Sequence, residues 1–470
     1  MEINILIMAA GLGTRMKSRR AKVLHMLAGQ PLVNHVYQTA LTLMPRRIIV
    51  IVGYQAEQVE DVLLHHYDRL AAKAQVKGIL PPVKPEFVLQ AEQHGTGHAA
   101  MMARNLLATD PTPIVLLSGD VPLVEPATLQ ALINLHQERA AAATVLTTQV
   151  ANPTGYGRVV RSGVDDFSHI IEHRDATPEQ LAINEINTGI YCFEAMALYN
   201  ALDKITPANA QGEYYLTDVL GVLKQEERTV TIFPYQHYEE VLGINNRIEL
   251  AAAEKKLRDK KLESLMCAGV TILDPASTYI DAEVEIGIDT TIYPQVNIEG
   301  NSVIGENCTI APGVHLINCR LGDNVTVRDH CLIVDSVLEN QTTVGPFAHL
   351  RMEAHLAAGA TVGNFVEVKK SSLGERTKAM HLAYLGDATI GNNVNIGAGT
   401  ITCNYDGKRK HATFIEDNVK IGSDTMLVAP VRVGQGAVTG AGTVVTKDIP
   451  AESLAVGVPA VVKKQLSSDK

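Results

Sequence analysis

Residues 9–16 read Ala9-Ala10-Gly11-Leu12-Gly13-Thr14-Arg15-Met16, and Lys17, Arg19, Arg20 and Lys22 follow. Five cations thus fall within eight residues behind a Gly-rich turn. Glycine lets backbone N–H groups approach a phosphate, and a helix start behind it adds a favourable dipole. The run is not a dinucleotide GxGxxG, because Met16 holds the last position, and it lacks the Gly-Lys-Ser/Thr of a P-loop. It offers charge neutralisation to a polyphosphate; a solvated basic helix end is the plainer alternative. Further on, Ser118-Gly119-Asp120 follows an apolar run, which puts a carboxylate at a strand's C-terminal end.

A second group lies far downstream. His381 sits in Lys378-Ala379-Met380-His381-Leu382-Ala383-Tyr384-Leu385-Gly386, with Arg351, Glu367, Lys369 and Lys370 before it. Acetyl transfer to an amine needs a base for the ammonium proton and a donor for the oxyanion. An imidazole titrates near neutrality and suits the first role. A backbone N–H near Ala398 or the Ser423 hydroxyl suits the second. Arg351 and Lys369 suit a sugar phosphate, with Tyr384 and Asn395 on its hydroxyls. A lone His is also commonly structural. A zinc reading of His330, His349 and His355 finds no third ligand on one face and is set aside.

These residues need scaffolds of two kinds. The chain has 470 residues, 46% apolar and 20% charged, with net charge −10. Residues 1–245 and 271–470 each carry −6, and the piece between them +2. Neither has the basic footprint of a nucleic-acid binder. No run approaches the roughly 18 apolar residues of a membrane span. The first seven residues include Glu2 and lead into the Gly-rich turn, so they read as a core strand and not a signal peptide. Six scattered Cys without a CxxC pair point to a reducing cytoplasm.

Up to about residue 245, apolar runs of strand length (3–8, 48–52, 85–90, 114–118) alternate with stretches of helical period (33–43, 55–71, 98–107). This predicts a doubly wound, parallel, Rossmann-like α/β sheet. Residues 247–265 lack Pro and Gly and predict one linking helix. Beyond residue 271 the period is six: Ile280, Ile286, Ile292, Ile298, Ile304, Ile310 and Leu316. After a slip it resumes at Val344, Leu350, Leu356, Val362 and Val368, and again at Ile415, Ile421, Leu427 and Val433. Small or β-branched residues such as Cys308, Val325, Ala348, Val394, Thr400 and Val419 fall four places later. A hexapeptide β-helix has this period. A β-sandwich would need the spacing by coincidence. The polar stretch 400–414 breaks the register and predicts a loop leaving one face of the solenoid.

Gly11–Met16 with Lys22-Val23-Leu24 resembles the signature of sugar-1-phosphate nucleotidyltransferases. Leu89-Gln90-Ala91-Glu92-Gln93-His94-Gly95-Thr96 resembles their uracil-reading segment. The stretches around Gly157, Glu172 and Asn187 resemble their sugar pocket, and Gly243-Ile244-Asn245-Asn246-Arg247 closes the domain. Gly363-Asn364-Phe365-Val366-Glu367-Val368-Lys369-Lys370 and Ile401-Thr402-Cys403-Asn404-Tyr405-Asp406-Gly407 resemble acetyltransferase marks. Taken together, nearly the whole chain resembles the bacterial family of bifunctional N-acetylglucosamine-1-phosphate uridylyltransferases and glucosamine-1-phosphate acetyltransferases.

The resemblance implies a nucleotidyltransferase domain (1–245), a linking helix (246–270) and a left-handed hexapeptide β-helix (271–470). It implies Mg²⁺ on Asp120 and Asn245, with Arg15 on pyrophosphate and Lys22 on the reacting phosphates. Met8, Ala9, Ala10, Gly11, Ser118 and Gly119 join them around nucleotide and sugar. Gln90, Gly95 and Thr96 would read uracil; Gly157, Glu172 and Asn187 would hold the sugar. In the second half it implies His381 as base and Arg351, Lys369, Tyr384, Asn395 and Lys410 on the sugar phosphate. Acetyl-CoA, a co-substrate, would meet Ala398, Asn404, Tyr405, Ser423 and Ala441. The expected substrates are UTP, glucosamine 1-phosphate and acetyl-CoA, and the expected assembly is a homotrimer with the Lys410 loop reaching a neighbour. Two rivals stay open on the residues alone: a nucleotidyltransferase whose β-helix only oligomerises, and a sugar-nucleotide sensor. Four departures stand out. Ala21 replaces a Pro, which predicts a looser loop; Ser118 replaces a Tyr; Met380 replaces a Gly; and the basic residue the family places on coenzyme A near Gly457 and Val458 is missing, with Lys463 and Lys464 close in sequence.

Overall fold

The computed structural model describes residues 2–163 and 167–465. The chain forms two compact units, Met1–Glu254 and Lys255–Lys470. The large sheet of the first has nine strands among the described residues: β1 (Asn4–Ala9), β2 (Arg47–Val52), β3 (Pro85–Leu89), β4 (Ile114–Ser118), β5 (Ala143–Gln149), β6 (Arg158–Arg161), β7 (Phe167–Ile171), β8 (Glu185–Phe193) and β9 (Val230–Tyr235). Their order is β9-β5-β8-β4-β1-β2-β3, with β6 pairing β8 and β7 at the side. Strands β1 to β4 run parallel. Successive β1 residues feed two different cores: Leu6 one, Ile5 and Ile7 the other. Burial on both faces explains why these strands read as unbroken apolar runs.

The all-parallel expectation fails at β8, which is antiparallel to both β4 and β5. The chain reaches β8 from the β6–β7 hairpin through a four-residue helix, Pro178–Leu181, that buries no side chain. A parallel entry is usually made by a crossover helix packed on the sheet, and none lies between Ile171 and Glu185. The helix Arg247–Cys267 follows.

In the second unit three sheets of twelve, ten and nine short strands stack side by side. Each coil gives one strand to each sheet, as in Thr291, Asn297 and Val303. This is the left-handed hexapeptide β-helix the period predicts. Among the described residues its core holds Ile, Val, Leu, Ala and Cys and no aromatic ring. The small residues four places on (Cys308, Val325, Ala348) are equally buried. The slip in period has a simple origin: Thr291 pairs with Thr309, but Thr309 pairs with Thr326 and Thr326 with Thr343, so these coils are one residue shorter. Rings are placed outside, where His330, Phe347 and Phe365 stack along one corner at 5.3 and 5.5 Å.

No helix among the described residues is long and apolar enough to cross a membrane. All six cysteines are free thiols.

Candidate active sites

The loops after β1, β3 and β4 leave the C-terminal edge of the sheet, on either side of the point where strand order reverses; open α/β sheets bind ligands there. A cavity of about 510 Å³ opens between them. Met8, Ala10, Gly11, Arg15, Lys22, Gln90, Gly95, Thr96, Ser118 and Asp120 line it. Ala9 instead turns into the core and has only its backbone to offer.

Four side chains converge at its floor. Lys22 forms an ion pair with Asp120 and donates to Asn245 Oδ1 at 3.1 Å. Arg15 donates to the same oxygen at 2.7 Å. Asn245 is brought in by the β-bridge-like contact of Ile244 N–H with Asp120 O, at 2.9 Å. A carboxylate and an amide oxygen therefore already share one cation, the Lys22 ammonium. Two hard oxygens converging on one positive charge fit Mg²⁺, which takes one or two protein oxygens plus phosphates.

Several contributors were not evident from motifs. Gln55 Oε1 accepts from Ala21 N–H at 2.7 Å. Ala21 has φ −54° and ψ 141°, angles a proline would take, so the loop keeps its shape and the extra N–H is held. This corrects the expectation of a looser loop. Glu249 accepts from the Asn245 backbone N–H at 2.7 Å and from the Asn246 amide at 2.6 Å. The spacing Asn246-x-x-Glu249, a capping-box pattern, is the signal that marks it. Tyr156 is enclosed near Asp120 and Asn245; burial first, then the Glu249 and Asp120 charges, push its phenol up to about 12.

The sugar-pocket residues form an adjoining group. Asn187 N–H donates to Gly157 O at 3.0 Å, and a Cβ at Gly157 would lie 3.3 Å from Glu172 Oε1. Burial raises the Glu172 pKa, and the Thr217 hydroxyl donates to it at 3.2 Å. Gln90 spends its amide nitrogen on Gly95 O and His98 Nδ1, both at 3.1 Å.

The second site follows the stacking of coils. His381 pairs in register with Asn364, and its Nδ1 lies 2.7 Å from Asn364 Oδ1. The corner below continues through Ala398, Ser423 and Ala441: Asp424 N–H donates to Ala398 O at 2.6 Å and Gly442 N–H to Ser423 O at 2.8 Å. Ser423 and Ala441 are exposed, as are His381 and Asn395. On the adjacent face Arg351 is bound by Glu367 at 2.7 Å. Lys369, almost fully buried, meets Asp387 at 3.1 Å. Asp387 also accepts from Asn404 at 2.5 Å, and Asn404 reaches Tyr384 at 3.4 Å. Asp387 is the hub that motif reading missed. The predicted loop closes through a Tyr405–Lys410 bridge, with Asp406 accepting from Lys408 and Arg409 N–H at 2.7 Å. Lys410 lies beside Lys369 of its own chain, and that neighbouring ammonium lowers its pKa. Arg351, Lys369 and Lys410 thus crowd positive charge at one place.

Comparison with known proteins agrees with both halves. A nucleotidyl transferase family model matches residues 4–238. A GMPPB C-terminal domain model matches 278–357, and a bacterial transferase hexapeptide model (six repeats) matches 412–447. The Bifunctional protein GlmU of Heliobacterium modesticaldum is 47% identical over 450 residues, covering 96% of this chain and 94% of its own. Those of Syntrophomonas wolfei and of a Geobacillus species are 46% and 45% identical, covering 97% and 99% of this chain and 97% of each relative. With identity spread over both units, the chain belongs to the GlmU family of bifunctional proteins, the uridylyltransferase and acetyltransferase family its motifs resemble.

Proposed function

We propose that the two halves carry out consecutive steps toward UDP-N-acetylglucosamine in the cytoplasm. Residues 271–470 acetylate glucosamine 1-phosphate with acetyl-CoA. Residues 1–245 join the product to UMP from UTP and release pyrophosphate, and residues 246–270 link the two.

The convergence of Arg15 and Lys22 on Asp120 and Asn245 carries the uridylyl reading. A sugar phosphate oxygen attacks the α-phosphorus in line, and the bond to pyrophosphate breaks. Such transfer depends on positioning and charge neutralisation. Lys22 exchanges its carboxylate for the reacting phosphates, and Arg15 steadies the leaving pyrophosphate. The backbone around Gly11, with Met8, Ala9, Ala10, Ser118 and Gly119, walls the nucleotide. Gln90 has its nitrogen committed, so its oxygen meets the uracil imide N–H, with Gly95 and Thr96 beside it. Gly157, Glu172 and Asn187 hold the sugar. Asp120 and Asn245 would hold Mg²⁺, which when bound neutralises phosphate charge.

For acetyl transfer, His381 Nε2 takes the ammonium proton of the amino sugar. The freed amine attacks the thioester carbonyl, the C–S bond breaks, coenzyme A leaves as the thiol with the proton His381 holds, and the nitrogen loses its second proton to solvent as the neutral amide forms. Ala398 N–H or the Ser423 hydroxyl faces the oxyanion. Small residues at Ala398, Ser423 and Ala441 leave a track for an extended thioester arm, with Asn404 and Tyr405 at its side. Arg351, Lys369 and Lys410 take the sugar phosphate, and Tyr384 and Asn395 its hydroxyls. The exposed stacked rings of Phe347 and Phe365 support a homotrimer in which a neighbouring β-helix covers this corner. The test supplies UTP, Mg²⁺, acetyl-CoA and glucosamine 1-phosphate to the full chain. UDP-N-acetylglucosamine, pyrophosphate and free coenzyme A are expected in equal amounts. Absence of free coenzyme A would leave a nucleotidyltransferase with a structural β-helix, and absence of any turnover a sensor.

A further inference from the structure

His381 and Asn364 occupy the ends of strands Lys378–His381 and Thr361–Asn364, paired in register on adjacent coils. The backbone between them is pinned, because Leu382 N–H donates to Asn364 O at 3.1 Å. One residue before Asn364, a Cβ at Gly363 would collide with Met380 O, so glycine is what lets the coils close here. One residue after each partner the chain turns sharply, with φ of 55° at Phe365 and 49° at Leu382. Asn364 is thereby placed with little freedom, and its Oδ1 sits 2.7 Å from His381 Nδ1. An amide oxygen only accepts, so the neutral ring must carry its proton on Nδ1. The lone pair is left on Nε2, which takes no hydrogen-bond partner among the described residues.

We propose that Asn364 is a positioning residue for acetyl transfer. Its side-chain oxygen fixes His381 in the Nδ1–H tautomer and aims the unprotonated Nε2 outward as the base. The inference rests on reading His381 as that base. It assigns Asn364 the part that the orienting carboxylate plays in a Ser-His-Asp triad, here taken by a neutral amide. It needs no contact between Asn364 and substrate.

The test uses the full chain with ¹⁵N-labelled histidine, and Asn364→Leu, Asn364→Asp and His381→Ala variants. In the native protein, His381 Nε2 is expected to show the shift of an unprotonated ring nitrogen at pH values where the ring is neutral. Asn364→Leu removes the acceptor. It should lose that tautomer preference and lower kcat for coenzyme A release by about ten- to a hundredfold, at or below the lower edge of the ~10²–10⁴ a general base contributes, because the base itself remains. KM for both substrates should stay within about twofold, since tautomer choice affects the transition state. Asn364→Asp keeps an acceptor and should restore most of kcat. A native ring protonated mainly on Nε2, or an Asn364→Leu chain with native kcat, overturns the proposal. If Asn364→Leu lowers the unfolding midpoint, the native tautomer alone decides. His381→Ala separates the two ideas. Retained acetylation there defeats the base reading itself. Acetylation lost there but kept in Asn364→Leu defeats only the role of Asn364.

Discussion

The two sites of this chain are built by opposite strategies. In the first, residues more than two hundred positions apart meet at the end of a sheet, and Gln90, Asp120 and Asn245 are all buried. In the second, His381, Asn395, Ser423 and Ala441 sit on successive coils and stay exposed. A strand-end site surrounds its ligand with loops, so its polar groups satisfy one another until substrate displaces them. A solenoid site repeats one backbone position down a column, so it offers a track and needs another surface to close it. The first can therefore store charge internally, as Lys22 does against Asp120. The second can hold an unpaired ring nitrogen toward solvent.

That contrast is broken or sharpened most severely by crossing two variants. His381→Ala should lower coenzyme A release by about 10²–10⁴-fold, the usual span for a general base, and leave pyrophosphate release from UTP and N-acetylglucosamine 1-phosphate within about twofold. Asp120→Ala should do the reverse, with at least about a hundredfold loss in pyrophosphate release, because misplacing reacting groups costs that much. If either variant depresses both activities, the sites are not separable as described.

A middle-sized effect tests whether the exposed site also contains a charge store. Lys369 is almost fully buried and Asp387 is its carboxylate. Asp387→Ala leaves that ammonium unpaired, which costs about 3–5 kcal/mol for buried pairs. The β-helix should unfold earlier by about that much, read by denaturant titration. Glucosamine 1-phosphate should then stabilise the variant more than the native protein, since its phosphate supplies the missing charge. A smaller ligand-induced shift in the variant would remove Lys369 from the phosphate site.

The β-helix was legible in the sequence because its contacts are local: one aliphatic residue per hexapeptide points inward, and Ile292, Ile310 and Val327 stack directly. The first sheet was legible only through its buried parallel strands. Antiparallel β8 escaped because direction depends on the connection before it and leaves no mark in hydropathy. Among site residues, Gln90, Asp120 and His381 stood out through motifs. Asp387 and Gln55 did not, since each works by holding another residue and carries no motif of its own; Glu249 shows only in its capping spacing from Asn246. Ala21 shows the converse. A missing proline read as looseness, whereas Gln55, distant in sequence, supplies the constraint.

The smallest effect probes what enclosure costs the first site. Burial raises the Glu172 pKa, and nearby Asp218, Asp175 and Glu213 act in the same direction, against the bond from Thr217. Between the ordinary carboxylate value and this raised one, the folded state binds more protons than the unfolded. Stability then falls as pH rises through that window, and the deficit persists at neutral pH. Glu172→Gln keeps the shape and an acceptor for Thr217 but cannot ionise. It should raise the unfolding midpoint of the first unit slightly at pH 7. The gain should vanish once pH falls below the ordinary carboxylate range, where Glu172 is neutral in both states. The same variant should raise KM for N-acetylglucosamine 1-phosphate, because a carboxylate accepts from a sugar hydroxyl more strongly than an amide does. A stability gain at pH 7 with impaired sugar binding would locate the cost of enclosure at the group that holds the sugar. No gain at pH 7 would mean that the carboxylate is well solvated, and the contrast between an enclosed and an open site would not extend to this residue.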